Sequence, residues 1–167
     1  MGEGSLDRSF NVSWEDPGEL GEQARTMRGL EFLEAIRDEE LPPAPIQRLL
    51  DFSLTEVDEG RVVFTAEPGE QHYNPIGVVH GGFAATLLDS ALGASVHSTL
   101  AQGQGYTTLE TKFNLVRPIT GETGRILAEG TLVHGGRQVA TSDGRLTRES
   151  DGKLLAHGTS TCLVIST

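Results

Sequence analysis

A single cysteine, Cys162, is all the thiol chemistry that 167 residues carry, and one thiol cannot close an intrachain disulfide. Basic residues are scarce: 13 Lys and Arg stand against 24 Asp and Glu, for a formal net charge of -11. Such a surface repels a phosphate backbone, so nucleic acid is not an expected partner. Aromatic residues make up 5% of the chain, too few to build a core of stacked rings. No stretch of membrane-spanning length is continuously apolar, and MGEGSLDRSF has no basic segment followed by an apolar run. Neither a membrane span nor an export signal is therefore expected, and a reducing, cytoplasmic setting fits. The histidines and the cysteine lack the spacing of a zinc site, so no metal is expected.

Glycine, by contrast, is abundant, at 21 residues, which favours tight turns and close backbone approaches. The length suits one domain. Residues 1–24 are acidic, with Phe10 and Trp14 as isolated apolar residues, and are expected to form an arm without chemistry, either mobile or docked. The domain proper is placed at 25–167. From Met27, the spacing of Leu30, Leu33 and Ile36 predicts a helix stopped by Pro42, Pro43 and Pro45, with a short helix at Ile46–Leu50. Phe52–Val57 and Arg61–Glu67 around Asp58-Glu59-Gly60 predict a hairpin. The run GGFAATLLDSALGASVHSTL, Gly81 to Leu100, predicts a long helix that is apolar on nearly every side and so buried. Segments near 105–117, 124–134, 137–148 and 153–165 carry strand-forming residues between turn signals, and are expected to form an antiparallel meander. The fold class predicted is α+β, with an antiparallel β-sheet wrapped around a central helix.

Two features suggest chemistry. Gly81-Gly82 at the start of the long helix leave backbone N–H groups open beside the positive end of the helix dipole, which suits an oxyanion, although two glycines also serve plain close packing. Asp89 is a carboxylate inside an apolar helix, costly unless it is paired or functional. Gly81 and Asp89 lie eight residues apart, about 12 Å along a helix axis, so they cannot both touch one carbonyl. If both act on one group, they must come from different subunits related by a two-fold axis.

The run Asn74-x-x-Gly77-x-x-His80-Gly81-Gly82, followed by Leu87-Leu88-Asp89, resembles the phenylacetate-degradation (PaaI) type of hotdog-fold thioesterases. The resemblance extends from about Leu30 to Val164. It implies the hotdog fold, a homodimer at minimum with dimers pairing into a homotetramer, and hydrolysis of an acyl-CoA, aryl-acyl or medium-chain, to free acid and CoA. It implies no separate cofactor, since coenzyme A is part of the substrate. Within it, Asp89 is the nucleophile or the general base and Gly81 the oxyanion donor. Asn74 holds the reacting group or water, Thr108 positions water, and His80 ties the loop down. Gly82 and Phe83 adjoin the substrate. His134, Gly135, Gly136 and Arg137 form a loop suited to CoA phosphates, with Arg117 as a second cation.

Two rival readings address the same residues. A hotdog hydratase or dehydratase would place a histidine where Gly77 stands after Asn74-Pro75-Ile76. A non-catalytic acyl-CoA-binding module would be expected to have lost Asp89, Asn74, Gly81 or Thr108, and all four are present.

Overall fold

The computed structural model describes residues 8–166. Helix α1 (Pro17–Thr26) starts where Asp16 accepts the Gly18 amide and Pro17 fixes the first turn, a side-chain cap followed by a residue that needs no N–H. Helix α2 (Gly29–Arg37) and helix α3 (Pro45–Leu50) follow, then the hairpin β1 (Phe52–Asp58) and β2 (Arg61–Ala66). Gly60 closes that hairpin at φ 82, a left-handed conformation that glycine adopts without strain. Helix α4 spans Gly81–His97. The remaining strands are β3 (Gln104–Leu115), β4 (Ile126–Gly135), β5 (Val139–Arg148) and β6 (Leu154–Ser166).

All six strands join one antiparallel sheet in the order β1-β2-β4-β5-β6-β3. The last four strands are therefore not a simple meander. β4, β5 and β6 follow one another, but β3 pairs with β6 at the far edge, and β4 pairs with β2. The 116–125 connection passes the start of α4, where the Val79 amide donates to the Ile119 carbonyl. This path lets the sheet curl around the helix before the meander begins.

The core forms where α4 lies in the curve of the sheet. Leu87, Leu88, Ala91 and Leu92 are fully buried against Val62, Ile126, Ala128, Leu146 and Ala156. A side chain at Gly130 would collide with the Ala91 carbonyl, so the helix approaches β4 as closely as only a glycine permits. The expectation of a helix buried all round is corrected on one stripe: Gly82 and Asp89 are exposed in the single chain.

The segment read as an arm is docked at its end. Its end forms α1, and Leu20 and Ala24 pack on the core cluster. Tertiary contact orders α1, whose sequence carries Leu20 as its one large apolar residue. Residues 1–7 lie outside the described residues.

Candidate active site

The loop before α4 is held by its own backbone. Tyr73 bridges to Val79, the Asn74 amide donates to Val78 O at 2.8 Å, and Asn74 Oδ1 accepts from the Ile76 and Val78 amides at 3.0 and 3.3 Å. Asn74 thus first serves the loop, which Gly77 turns at φ 84. His80 caps the helix: its Nδ1 accepts from the Gly82 amide at 2.9 Å, and its carbonyl accepts from Phe83 N at 2.9 Å. Of the first three helix amides, only that of Gly81 makes no hydrogen bond among the described residues. His80 thus holds the start of α4 and leaves one open donor.

That donor faces a cavity of about 300 Å³ lined by Asn74, His80, Gly81, Leu115 and Arg117. Arg117 is held there by donating from Nη1 to the Leu154 carbonyl at 2.5 Å. A Cβ at Gly81 would come 2.7 Å from Leu115 Cδ1, and one at Gly82 would come 2.9 Å from His80 Nδ1. Both glycines thus serve close approach as well as leaving the amide accessible.

Asp89 lies elsewhere on α4, against β3. Its Oδ1 accepts from Thr111 Oγ1 at 2.9 Å and from Thr108 Oγ1 at 3.4 Å. Oδ2 makes no hydrogen bond among the described residues. Thr108 was expected here; Thr111, the closer partner, was not. Alternation along a regular strand puts residues 108 and 111 on opposite faces. The register shifts between Thr108 and Glu110, and this bulge brings both hydroxyls to the same carboxylate. Thr111 also lies 3.5 Å from Ser160 Oγ, which donates to the Glu110 carbonyl at 3.0 Å.

The other expected residues do not gather at one place. Phe83 is 4% exposed, its ring stacked on His72 with centroids 4.2 Å apart, so it belongs to the core. Gly82 has its amide occupied by His80. His134, Gly135, Gly136 and Arg137 form the exposed β4–β5 end, where Gly136 N donates to Val139 O. The adjoining residues Leu132 and Ala140 pack with Val96 near the end of α4, whereas Arg117 sits near its start. Within one chain the two arginines thus lie toward opposite ends of α4. Among the described residues, no group of three His, Cys, Asp or Glu converges as a metal site would require.

Residues 76–155 match the thioesterase superfamily. Acyl-coenzyme A thioesterase 13 of Homo sapiens is 28% identical over 107 residues, 64% of this chain and 74% of that protein. A solved putative thioesterase from Ralstonia eutropha, related to phenylacetic acid degradation, is 28% identical with a TM-score of 0.70, covering 78% of this chain and 98% of its own. A Streptococcus mutans protein solved with acetyl CoA bound is also 28% identical, with a TM-score of 0.62, covering 70% and 90%.

Proposed function

From the match of residues 76–155 to the thioesterase superfamily and the likeness to acyl-CoA thioesterases, we propose that the chain is a thioester hydrolase that converts acyl-CoA to free acid and CoA at a site shared by two copies. The observation that carries this reading is the separation of two open groups on one helix. The Gly81 amide and the Asp89 carboxylate are both accessible, yet about 12 Å of helix axis divides them. A two-fold partner brings its Gly81 to the Asp89 of the first chain.

The edge strand β3 suits that pairing. It is 12 residues long, and beside it Leu109, Phe113, Leu115 and Val116 are exposed. An unpaired edge of this length with apolar side chains favours a second strand. Antiparallel pairing of two β3 strands would continue the sheet across the dimer and bury the open stripe of α4. Dimers then pair into the tetramer.

The chemistry follows from the groups. With Oδ1 of Asp89 held by Thr111 and Thr108, Oδ2 faces the substrate. As general base, Oδ2 takes a proton from water while the water oxygen bonds to the thioester carbon. The charge that develops on the carbonyl oxygen is met by the partner's Gly81 N–H. The C–S bond then breaks, and CoA leaves as a thiolate that recovers the proton. As nucleophile, Oδ2 itself bonds to the carbon and expels the thiolate, and water cleaves the resulting anhydride. An acyl adduct on Asp89 in a rapid quench is expected only for the second route. Arg117 of one subunit and Arg137 of the other are the proposed partners of the CoA phosphates.

Thiol release from a panel of acyl-CoAs tests this. Wild type should turn over at least one member, and Asp89→Asn should lose at least about 100-fold, roughly 2.7 kcal/mol of transition-state stabilisation. CoA binding without turnover by either protein would replace hydrolysis with a binding function.

A further inference from the structure

A second cavity, of about 380 Å³, lies on the other flank of α4. Helix α1 supplies one wall through Leu20, Gly21 and Ala24, and α4 supplies another through Ser90, Ala94 and His97. The spacing of each set, i to i+4 and i to i+4 and i+7, puts it on one helix face. Although the chain is rich in charge, the described residues of the cavity wall include no Asp, Glu, Lys or Arg. His97 brings no charge at neutral pH, because burial pushes its pKa down to about 4. Burial likewise pushes the Tyr106 phenol up, so it stays neutral.

Gln47, His97 and Tyr106 give the chamber wall three polar side chains. Gln47 is 7% exposed, and its Nε2, itself buried, makes no hydrogen bond among the described residues. Neither the Tyr106 hydroxyl nor the His97 ring makes one among the described residues. A mostly apolar chamber with a few convergent polar groups is the usual form of a small-molecule site. Packing alone rarely leaves a buried donor open.

Its position ties it to Asp89. On α4, the lining residue Ser90 follows Asp89 directly. On β3, Tyr106 lines the chamber, and two residues on, on the same strand face, Thr108 bonds Asp89. The carboxylate therefore stands beside the chamber on both elements.

Resting on the thioesterase reading, we infer that this chamber receives the acyl group, that it selects uncharged acyl groups, and that Gly21 on α1 sets the length it accepts. A carboxylate entering it would lose its water and find no cation. Each methylene buried from water favours binding by a factor of about four, so length should be read strongly. Gly21 is the position where length can be altered cleanly. A Cβ there meets nothing within 4 Å, and the residue sits on the helix face that includes Leu20 and Ala24.

The test is the ratio of kcat/KM for octanoyl-CoA to that for butanoyl-CoA. Gly21→Phe should lower this ratio at least tenfold, and Gly21→Ala, which adds one methyl in open space, should lower it by less. Succinyl-CoA, a four-carbon acyl group ending in a carboxylate, should be turned over at least tenfold less efficiently than butanoyl-CoA. Ratios within twofold of wild type for both variants, or succinyl-CoA equal to butanoyl-CoA, would overturn the inference. If wild type hydrolyses no thioester, the thioesterase reading falls and binding decides the chamber. Octanoyl-CoA binding at least tenfold tighter than CoA to wild type, but not to Gly21→Phe, keeps it; equal binding by both proteins overturns it.

Discussion

Replacing Thr111 by Val removes a hydroxyl and keeps the shape of the side chain. The hydroxyl donates to Asp89 Oδ1 at 2.9 Å, whereas that of Thr108 is at 3.4 Å. A hydrogen bond to a charged acceptor contributes about 1.5 to 3 kcal/mol, and Asp89 is solvent-exposed in the single chain, so the lower end applies. Thr111→Val should therefore lower kcat about tenfold, while Thr108→Val should lower it by less. Little stability is at stake, because Ser160 keeps its bond to the Glu110 carbonyl at 3.0 Å. The positioning role predicts a fall in kcat with KM nearly unchanged, and recovery in Thr111→Ser, which restores the hydroxyl. Steady-state kinetics on a single acyl-CoA read all three variants. Equal kcat for Thr111→Val and Thr111→Ser, or a larger loss at Thr108 than at Thr111, would refute the reasoning.

Gly81→Ala should cost at least tenfold in kcat/KM, since a methyl would crowd the open amide and press on Leu115 Cδ1 at 2.7 Å; the melting temperature should move little because Leu115 is exposed and can turn away. Leu115→Ala added to Gly81→Ala should relieve the crowding without restoring full activity, which separates the amide from the packing. His97 predicts a pH dependence of stability. Its folded pKa of about 4 lies below an unfolded value near 6.5, so the unfolded chain takes up the proton first as pH falls. Stability is full above about pH 6.5 and declines toward pH 4, by roughly 3 kcal/mol for this group. His72, its pKa also lowered chiefly by burial, adds in the same direction. Chemical denaturation of wild type and His97→Phe across that range should show a shallower decline in the variant.

Much of the fold is legible from local signals. β-branched runs separated by Asp58-Glu59-Gly60 and by later glycine-bearing turns mark the strands, and the long small-residue run marks α4. The position of β3 is not legible, because pairing partners are chosen by how the sheet curls around α4 and not by order in the chain. Helix α1 is hidden for a related reason: Leu20 is the one large apolar residue on a face otherwise made of Gly21 and Ala24, and only packing on the core gives that face its role. At the site, the run from Asn74 to Gly82 and the isolated Asp89 stand out by chemistry alone. Thr111 does not, since the bulge after Thr108 reverses the alternation that a reader of the sequence must assume. The exposure of Asp89 is equally hidden, because a stripe of small residues suits a buried core and a subunit interface alike.

The claim that one site draws on two subunits is tested most directly by mixing two impaired variants, Asp89→Asn and Gly81→Ala, after dissociation and reassociation. In a hybrid dimer, the intact Asp89 of one subunit meets the intact Gly81 of the other at one of the two sites. With half of all dimers hybrid, thiol release should recover to about a quarter of the wild-type rate. Activity no greater than the mean of the two variants measured separately would place both groups within one chain's site and contradict the account.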